Sequence, residues 1–448
     1  MSPKIATHQQ AGVDVAPAAE AGSMLARVRR GFRALEVRNY RLFWTGQLIS
    51  QTGSWMQRTA QDWLVLQLTH SPFALGLVTA LQFLPVLLLS LIGGVLSDRW
   101  SKHRLVIITQ IAALLQAAVF AALVASGAVQ LWHVYVLALL QGVITAIDNP
   151  VRQAFVAELA GRDHMVNAVA LNSMLFNGAR IVGPATAGLM IASASSTLSG
   201  IALVLLVNAL SFVAVLIGLL KIDGSKLSAA ARGPAGKMGQ RLVEGLAYVW
   251  RTPAVLLIMI VVAAIGTFGY NFSVVLPLLS GFVLHTDAAG YGGLSAFLGF
   301  GSLVGALSTA YSRQVTVRRL LVGSLVFSVL LGAVAVSTNF ALSGALLVAL
   351  GFAGIVFSTS ANTLLQLTVP DELRGRVLSL YMLLFAGSTP IGGLLIGTLS
   401  NVIGVSETLL VCAALCLLGV GAAVLYRRRS AWLSPSSGGS EHSKELSA

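Results

Sequence analysis

Stretches of about 20 mostly apolar residues alternate along the chain with short polar connections. At 1.5 Å per residue each such stretch matches the ~30 Å hydrocarbon core of a bilayer. Twelve occur, at 42–68, 72–96, 104–126, 131–153, 165–191, 198–220, 253–281, 289–311, 318–337, 341–365, 377–399 and 405–426. They predict an all-α membrane protein of twelve transmembrane helices. Span 1 is the least hydrophobic. It carries Ser50, Gln51, Thr52, Ser54, Gln57, Thr59 and Gln61 besides Arg58 and Asp62, too much polarity for a lipid-facing helix and suited to one that lines an aqueous path.

Basic residues test the count. With the N-terminus inside, the outer connections near 69–71, 127–130, 192–197, 282–288, 338–340 and 400–404 contain no Lys or Arg. The inner ones hold Arg99, Lys102 and Arg104; Arg152 and Arg162; Arg313, Arg318 and Arg319; Arg374 and Arg376. Such asymmetry is the positive-inside pattern and puts both termini in the cytoplasm. One missed span would invert every later loop. The expected organisation is a tail at 1–35, a six-helix bundle at 36–220, a central cytoplasmic loop at 221–252, a second six-helix bundle at 253–428 and a tail at 429–448. The first 24 residues have no apolar run after a basic start, so no cleavable signal is expected.

Composition agrees: 56% of the 448 residues are hydrophobic and 10% charged, against about 25% charged in soluble domains. The net charge of +13 falls in short clusters between apolar runs, not on one aromatic-studded face, so no nucleic-acid partner is expected. Cys412 and Cys416 stand in an apolar span without further ligands, and the seven histidines fall in tails, loops or span ends. No metal and no cofactor are expected. "GPAGKMG" in the central loop echoes a phosphate-binding loop, but its glycines are too close and Met238 stands where Ser or Thr would bind the metal. The chain is therefore not expected to hydrolyse ATP or to be an enzyme.

Two pairs of segments suggest duplication. "GVLSDRWS" at 94–101 ends span 2 and "GALSTAYS" at 305–312 ends span 8; "VGPATAG" at 182–188 and "STPIGG" at 388–393 lie in spans 5 and 11. Parallel repeats of this kind place a substrate site between the halves near the membrane midplane.

Charges inside spans are costly, roughly 2.5–3.5 kcal/mol each on insertion scales, and usually face a bundle interior or a wet cavity. Arg58 and Asp62 are an i,i+4 pair in span 1, Asp148 and Arg152 another in span 4, and Arg180 lies in mid span 5. Either Asp62, or less favourably Asp148, exchanges a proton while Arg58 shifts that proton affinity or, with Arg180, attracts an anionic substrate group, or the pairs are structural and fix helix packing. The second half has no ionisable group in mid-span; Phe268, Tyr270, Asn271, Gln366 and Tyr381 are its polar or aromatic contacts in an apolar wall.

"GGVLSDRWSKHR" after span 2, with twelve spans divided six and six, resembles the major facilitator superfamily of secondary transporters over residues 36–428. Gly94, Asp98, Arg99, Lys102 and Arg104 supply most of the superfamily's loop signature; Ser101 replaces its later glycine and His103 interrupts its bases. The resemblance implies a cytoplasmic gate there. "NYRLFWTGQLISQTGSWMQRTAQDWLVLQLT" and "DNPVRQAFVAEL" look like the branch of siderophore exporters and drug-efflux pumps. Gly178, Gly183, Pro184 and Gly188 resemble the exporter packing motif of helix five, with Gly178 one residue too early. Many proton-driven exporters carry an arginine three residues before a Gln-Gly pair in helix four; here Gln141 and Gly142 are present and that position is Ala138. The resemblance implies a monomeric transporter of the cytoplasmic membrane, exporting drug-like or siderophore-like small molecules by alternating access as a proton antiporter. The alternatives are proton-coupled uptake or a non-transporting sensor.

Overall fold

The computed structural model describes residues 31–224, 238–310, 315–385 and 387–433. The expected tails lie largely outside these residues, as do Arg313 and residues 225–237 of the central connection. Among the described residues the chain is all helix and short connections. The membrane helices are α1 (Arg38–Thr69), α2 (Pro72–Arg99), α3 (Lys102–Ala125), α4 (Leu131–Ser193) and α5 (Thr197–Leu220) in the first half. A connecting helix α6 (Met238–Arg251) follows, then α7 (Pro253–Ala264), α8 (Phe272–Leu278), α9 (Ala288–Ala310), α10 (Val317–Val336), α11 (Phe340–Thr368), α12 (Asp371–Phe385), α13 (Thr389–Ile403) and α14 (Val405–Leu433).

Among the described residues, ten candidate spans are long and apolar enough to cross a membrane. The two further expected spans are α1 and the second arm of α4; both are helical, and both are too polar to qualify on hydropathy.

Three expected spans differ in detail. Spans 4 and 5 are not joined by a loop at 154–164. Helix α4 continues through it, kinked at the single non-helical residue Gly161 (φ 70°, ψ 175°), a conformation essentially restricted to glycine. Span 7 is broken. A π-helical turn at Ile265–Gly269 and the non-helical Tyr270–Asn271 separate α7 from α8, where Gly266 and Gly269 lower helix propensity. Span 11 divides into α12 and α13, the latter opening with Pro390 in its first turn. In the connection expected as a loop, α6 packs on α12: Glu244 pairs with Arg376, and Gly245 lies against Arg376 and Leu380.

The packing is duplicated. Helix α2 lies on α4 as α9 lies on α11; α3 on α5 as α10 on α14; and α1 on α5 as α7 on α14. Two pseudo-symmetric six-helix bundles result, and they meet along two seams, α2 against α13 and the second arm of α4 against α9. Small residues make the seams close. A Cβ on Gly76 would come within 2.6 Å of the Gly393 carbonyl oxygen, and one on Gly292 within 2.5 Å of that of Pro184. With no hydrophobic drive between helices in lipid, such backbone approach supplies the packing. These contacts cluster beside the connections that lack Lys and Arg. Toward the basic-rich face the halves part: Leu88, Ile92 and Val95 are exposed, and a Cβ on Gly94 would meet nothing within 4 Å.

Candidate substrate cavity and gates

A cavity of about 200 Å³ opens within the first bundle. Its lining comes from α1 to α5 and ends at Phe212. The second-half residues expected as an apolar wall do not line it. Instead Tyr270, Phe272, Phe327, Phe357, Tyr381 and Phe385 form one aromatic cluster, with Tyr270 and Phe385 rings 4.8 Å apart.

The helical spacing of α1 sets the cavity's polarity, because Gln47, Ser50, Gln51, Ser54 and Arg58 repeat at three and four residues and so share a face. Two networks hold it. Asp148 is buried, and its Oδ1 accepts from Thr109 Oγ1 (2.7 Å) and Gln110 Nε2 (3.0 Å). Its Oδ2 lies 3.3 Å from Arg152 Nε. Arg152 spends its remaining nitrogens on Gln47 Oε1 (3.1 Å) and Asn149 Oδ1 (2.9 Å). In the second network Asn208 Nδ2 donates to Gln57 Oε1 (2.6 Å) and Gln57 Nε2 to Gln116 Oε1 (3.0 Å), tying α5, α1 and α3 together.

Arg58 and Asp62 behave differently from their i,i+4 spacing. Among the described residues no ion pair joins them. Arg58 lies half-buried, its Cζ 4.9 Å from the Trp55 ring centroid and 5.6 Å from that of Phe83. Asp62 is buried at the other seam, where its Oδ2 accepts from the Tyr291 hydroxyl of α9 at 3.0 Å. Trp63 stacks on Tyr291, with centroids 6.4 Å apart. Asp62, Trp63 and Tyr291 thus plug the basic-poor side of the seam. The sequence reading missed Tyr291; its signal was one large residue among small ones in "AAGYGG".

Arg180 is half-buried and has no hydrogen bond or ion pair among the described residues. It lies one turn beyond Phe176, which lines the cavity and packs on Trp55 with centroids 5.7 Å apart. Of the helix-five glycines, Gly183 abuts Trp55 and the Thr52 carbonyl, Gly188 abuts Ala288 and Gly292, and Gly178 faces open space; the Pro184 carbonyl meets Gly292. In the loop signature Asp98, Arg99 and Arg104 are exposed, and none forms an ion pair among the described residues. Lys102 pairs with Glu158 at 2.7 Å within the first half. Ser101, in place of the glycine, caps α3 by accepting from the Arg104 N–H at 3.5 Å. No latch joins the halves at this loop in the conformation observed.

Two duplicated six-helix bundles, closed against each other at one face, with a polar cavity in the first, define a membrane transporter of the major facilitator type. Residues 30–444 match the transmembrane secretion effector model of that superfamily, and the chain belongs to this family. It is 30% identical over 398 residues to the multidrug efflux pump Tap of Mycolicibacterium fortuitum, covering 85% of this chain and 94% of the relative. It is 26% identical over 373 residues to the staphyloferrin A transporter of Staphylococcus aureus, covering 82% and 90%. A bacterial homologue of the lysosomal transporter Spinster, solved in an inward-facing and unoccupied conformation, superposes with TM-score 0.70 at 13% identity, over 87% of this chain and 97% of that one. The protein is a multi-pass membrane transporter of small molecules, not an enzyme.

Proposed function

We propose that the chain exports drug-like or siderophore-like molecules in exchange for protons, with both termini in the cytoplasm and the cavity here open inward. One observation carries the reading: the carboxylate of Asp62 takes its hydrogen bond from Tyr291 across the seam. Parting of the basic-poor face must break that bond, so the partner of a buried carboxylate changes whenever the cavity changes sides. Its proton occupancy is then tied to the transport state, as exchange requires. Asp148 is the weaker candidate, because all its partners belong to its own bundle and travel with it. Ala138 stands where many exporters carry arginine, so the helix-four coupling scheme of those exporters does not carry over to this chain. The relative named as a multidrug efflux pump, and the close packing of Gly183 and Gly188, support export over uptake.

Everted membrane vesicles with an acid interior and a pH-sensitive dye test the reading. A panel of cationic dyes, macrolide-like drugs and catecholate siderophores is added to wild-type and Asp62→Asn vesicles. Dissipation by at least one class in wild type only, at equal protein abundance, is expected. Equal dissipation by both proteins would remove Asp62 from coupling, and none from either would sink proton-coupled export.

A further inference from the structure

Resting on the transport reading, we propose that Arg58 is the recognition point for an anionic group on a small apolar or aromatic substrate, so that the cavity takes anions in preference to cations. The anion is a carboxylate, sulfonate or phosphate.

The charges lining the cavity are Arg58, Asp148 and Arg152. Asp148 and Arg152 neutralise each other, and their hydrogen-bonding atoms are occupied by Thr109, Gln110, Gln47 and Asn149. Arg58 is the lining charge that neither a hydrogen bond nor an ion pair holds among the described residues. Among the described residues none of its five N–H groups has a hydrogen-bond acceptor. N–H groups drawn from water without acceptors are costly unless a ligand supplies them. The rings of Trp55 and Phe83 attract the cation but offer no acceptor to its planar fork, the geometry that binds a carboxylate or phosphate two N–H groups at a time. Trp55, Phe83, Val86, Ile144, Phe176 and Phe212 supply an apolar bed for the rest of such a molecule. Arg180, one helical turn from Phe176, adds a second positive charge near the same wall.

The site also contains its own release step. Asp62 is one turn from Arg58 on α1, and its Oδ2 is engaged by the Tyr291 hydroxyl. When the basic-poor face opens, Tyr291 leaves with its half, and the freed carboxylate competes for Arg58 against the bound anion. Substrate affinity falls on the side where it is to be discharged.

The test is equilibrium binding to the full-length protein in nanodiscs, by isothermal titration calorimetry, with two probes sharing one ring system: 1-naphthoate and 1-naphthylmethylammonium. Wild type is expected to bind naphthoate at least tenfold tighter than the ammonium. Arg58→Gln should lose that preference, Arg58→Glu should reverse it, and Arg58→Lys should keep it with weaker binding. Preference of wild type for the ammonium, binding of neither probe, or unchanged naphthoate affinity in Arg58→Gln overturns the site. Should the Gln and Glu variants fail to fold, the wild-type preference and the Lys variant decide. Naphthoate binding that no flux assay converts into transport would retire the transport reading and leave the site. Vesicle dissipation by cations alone, with no naphthoate binding, would do the reverse.

Discussion

Tyr291 on α9 and Asp62 on α1 are 229 positions apart in sequence, yet the tyrosine hydroxyl lies 3.0 Å from the aspartate Oδ2. The bond spans the two halves of the transporter at the face that is closed.

Tyr291→Phe keeps the ring stacked on Trp63 and removes only the donor. A hydrogen bond to a charged acceptor is worth about 1.5–3 kcal/mol, so the closed-to-open ratio at this face should fall roughly 10- to 100-fold. Ala288, 2% exposed at the seam, can report it as Ala288→Cys. Its labelling by a membrane-impermeant maleimide should rise several-fold in the Tyr291→Phe background. The native Cys412 and Cys416 are buried and contribute little. Unchanged labelling would show that the bond does not hold the face shut.

Gly76 and Gly94 should behave in opposite ways although both lie on α2. A side chain at Gly76 collides with Gly393 and Gly397, whereas one at Gly94 meets open space. Gly76→Leu should hold the basic-poor face open and stop transport at normal abundance. Gly94→Leu should fold equally well and tolerate the conformation described here. If the loop signature forms its latch in the other state, Gly94→Leu blocks that state and raises maleimide protection at Ala288→Cys.

Asp148→Asn strands Arg152 in a partly buried place. Removing one partner of such a hydrogen-bonded pair costs roughly 1–3 kcal/mol, so melting of the detergent-solubilised protein should shift down by several degrees. Asp148→Asn with Arg152→Gln should recover much of the loss. Because the pair does not cross a seam, the variant that survives should keep the wild-type pH profile of transport. Loss of that profile at full stability would transfer coupling from Asp62 to Asp148.

Gly161→Ala tests the kink in α4. A side chain at φ 70°, ψ 175° costs of order 1–3 kcal/mol. Thermal stability should fall by that order, while Gly178→Ala on the same helix, facing open space, should change it little. Equal melting temperatures would mean that the kink relaxes without cost.

Spans, their order and the sidedness of charge could be taken from the linear chain, because hydropathy and Lys/Arg placement act residue by residue, whatever the helices pack against. The polarity of α1 also showed in its composition, since a helix carrying Gln47, Gln51, Gln57 and Gln61 has no stable place against lipid. The spacing of Asp148 and Arg152 led to a real ion pair. The identical spacing of Arg58 and Asp62 did not, because i,i+4 only places two side chains on one face, and a stronger partner from elsewhere can claim either. Tyr291 claimed Asp62, and two aromatic rings flank Arg58. Likewise the glycines of α2 looked equivalent in sequence, while Gly76 lies in a seam and Gly94 in open space. The sequence by itself determined a membrane protein of twelve spans whose basic residues gather at alternate connections, because these are properties of local transfer into a bilayer. Only the tertiary structure decided which charges form an ion pair, which lacks a hydrogen-bond acceptor and which contact joins the halves, because each depends on residues brought together from distant parts of the chain.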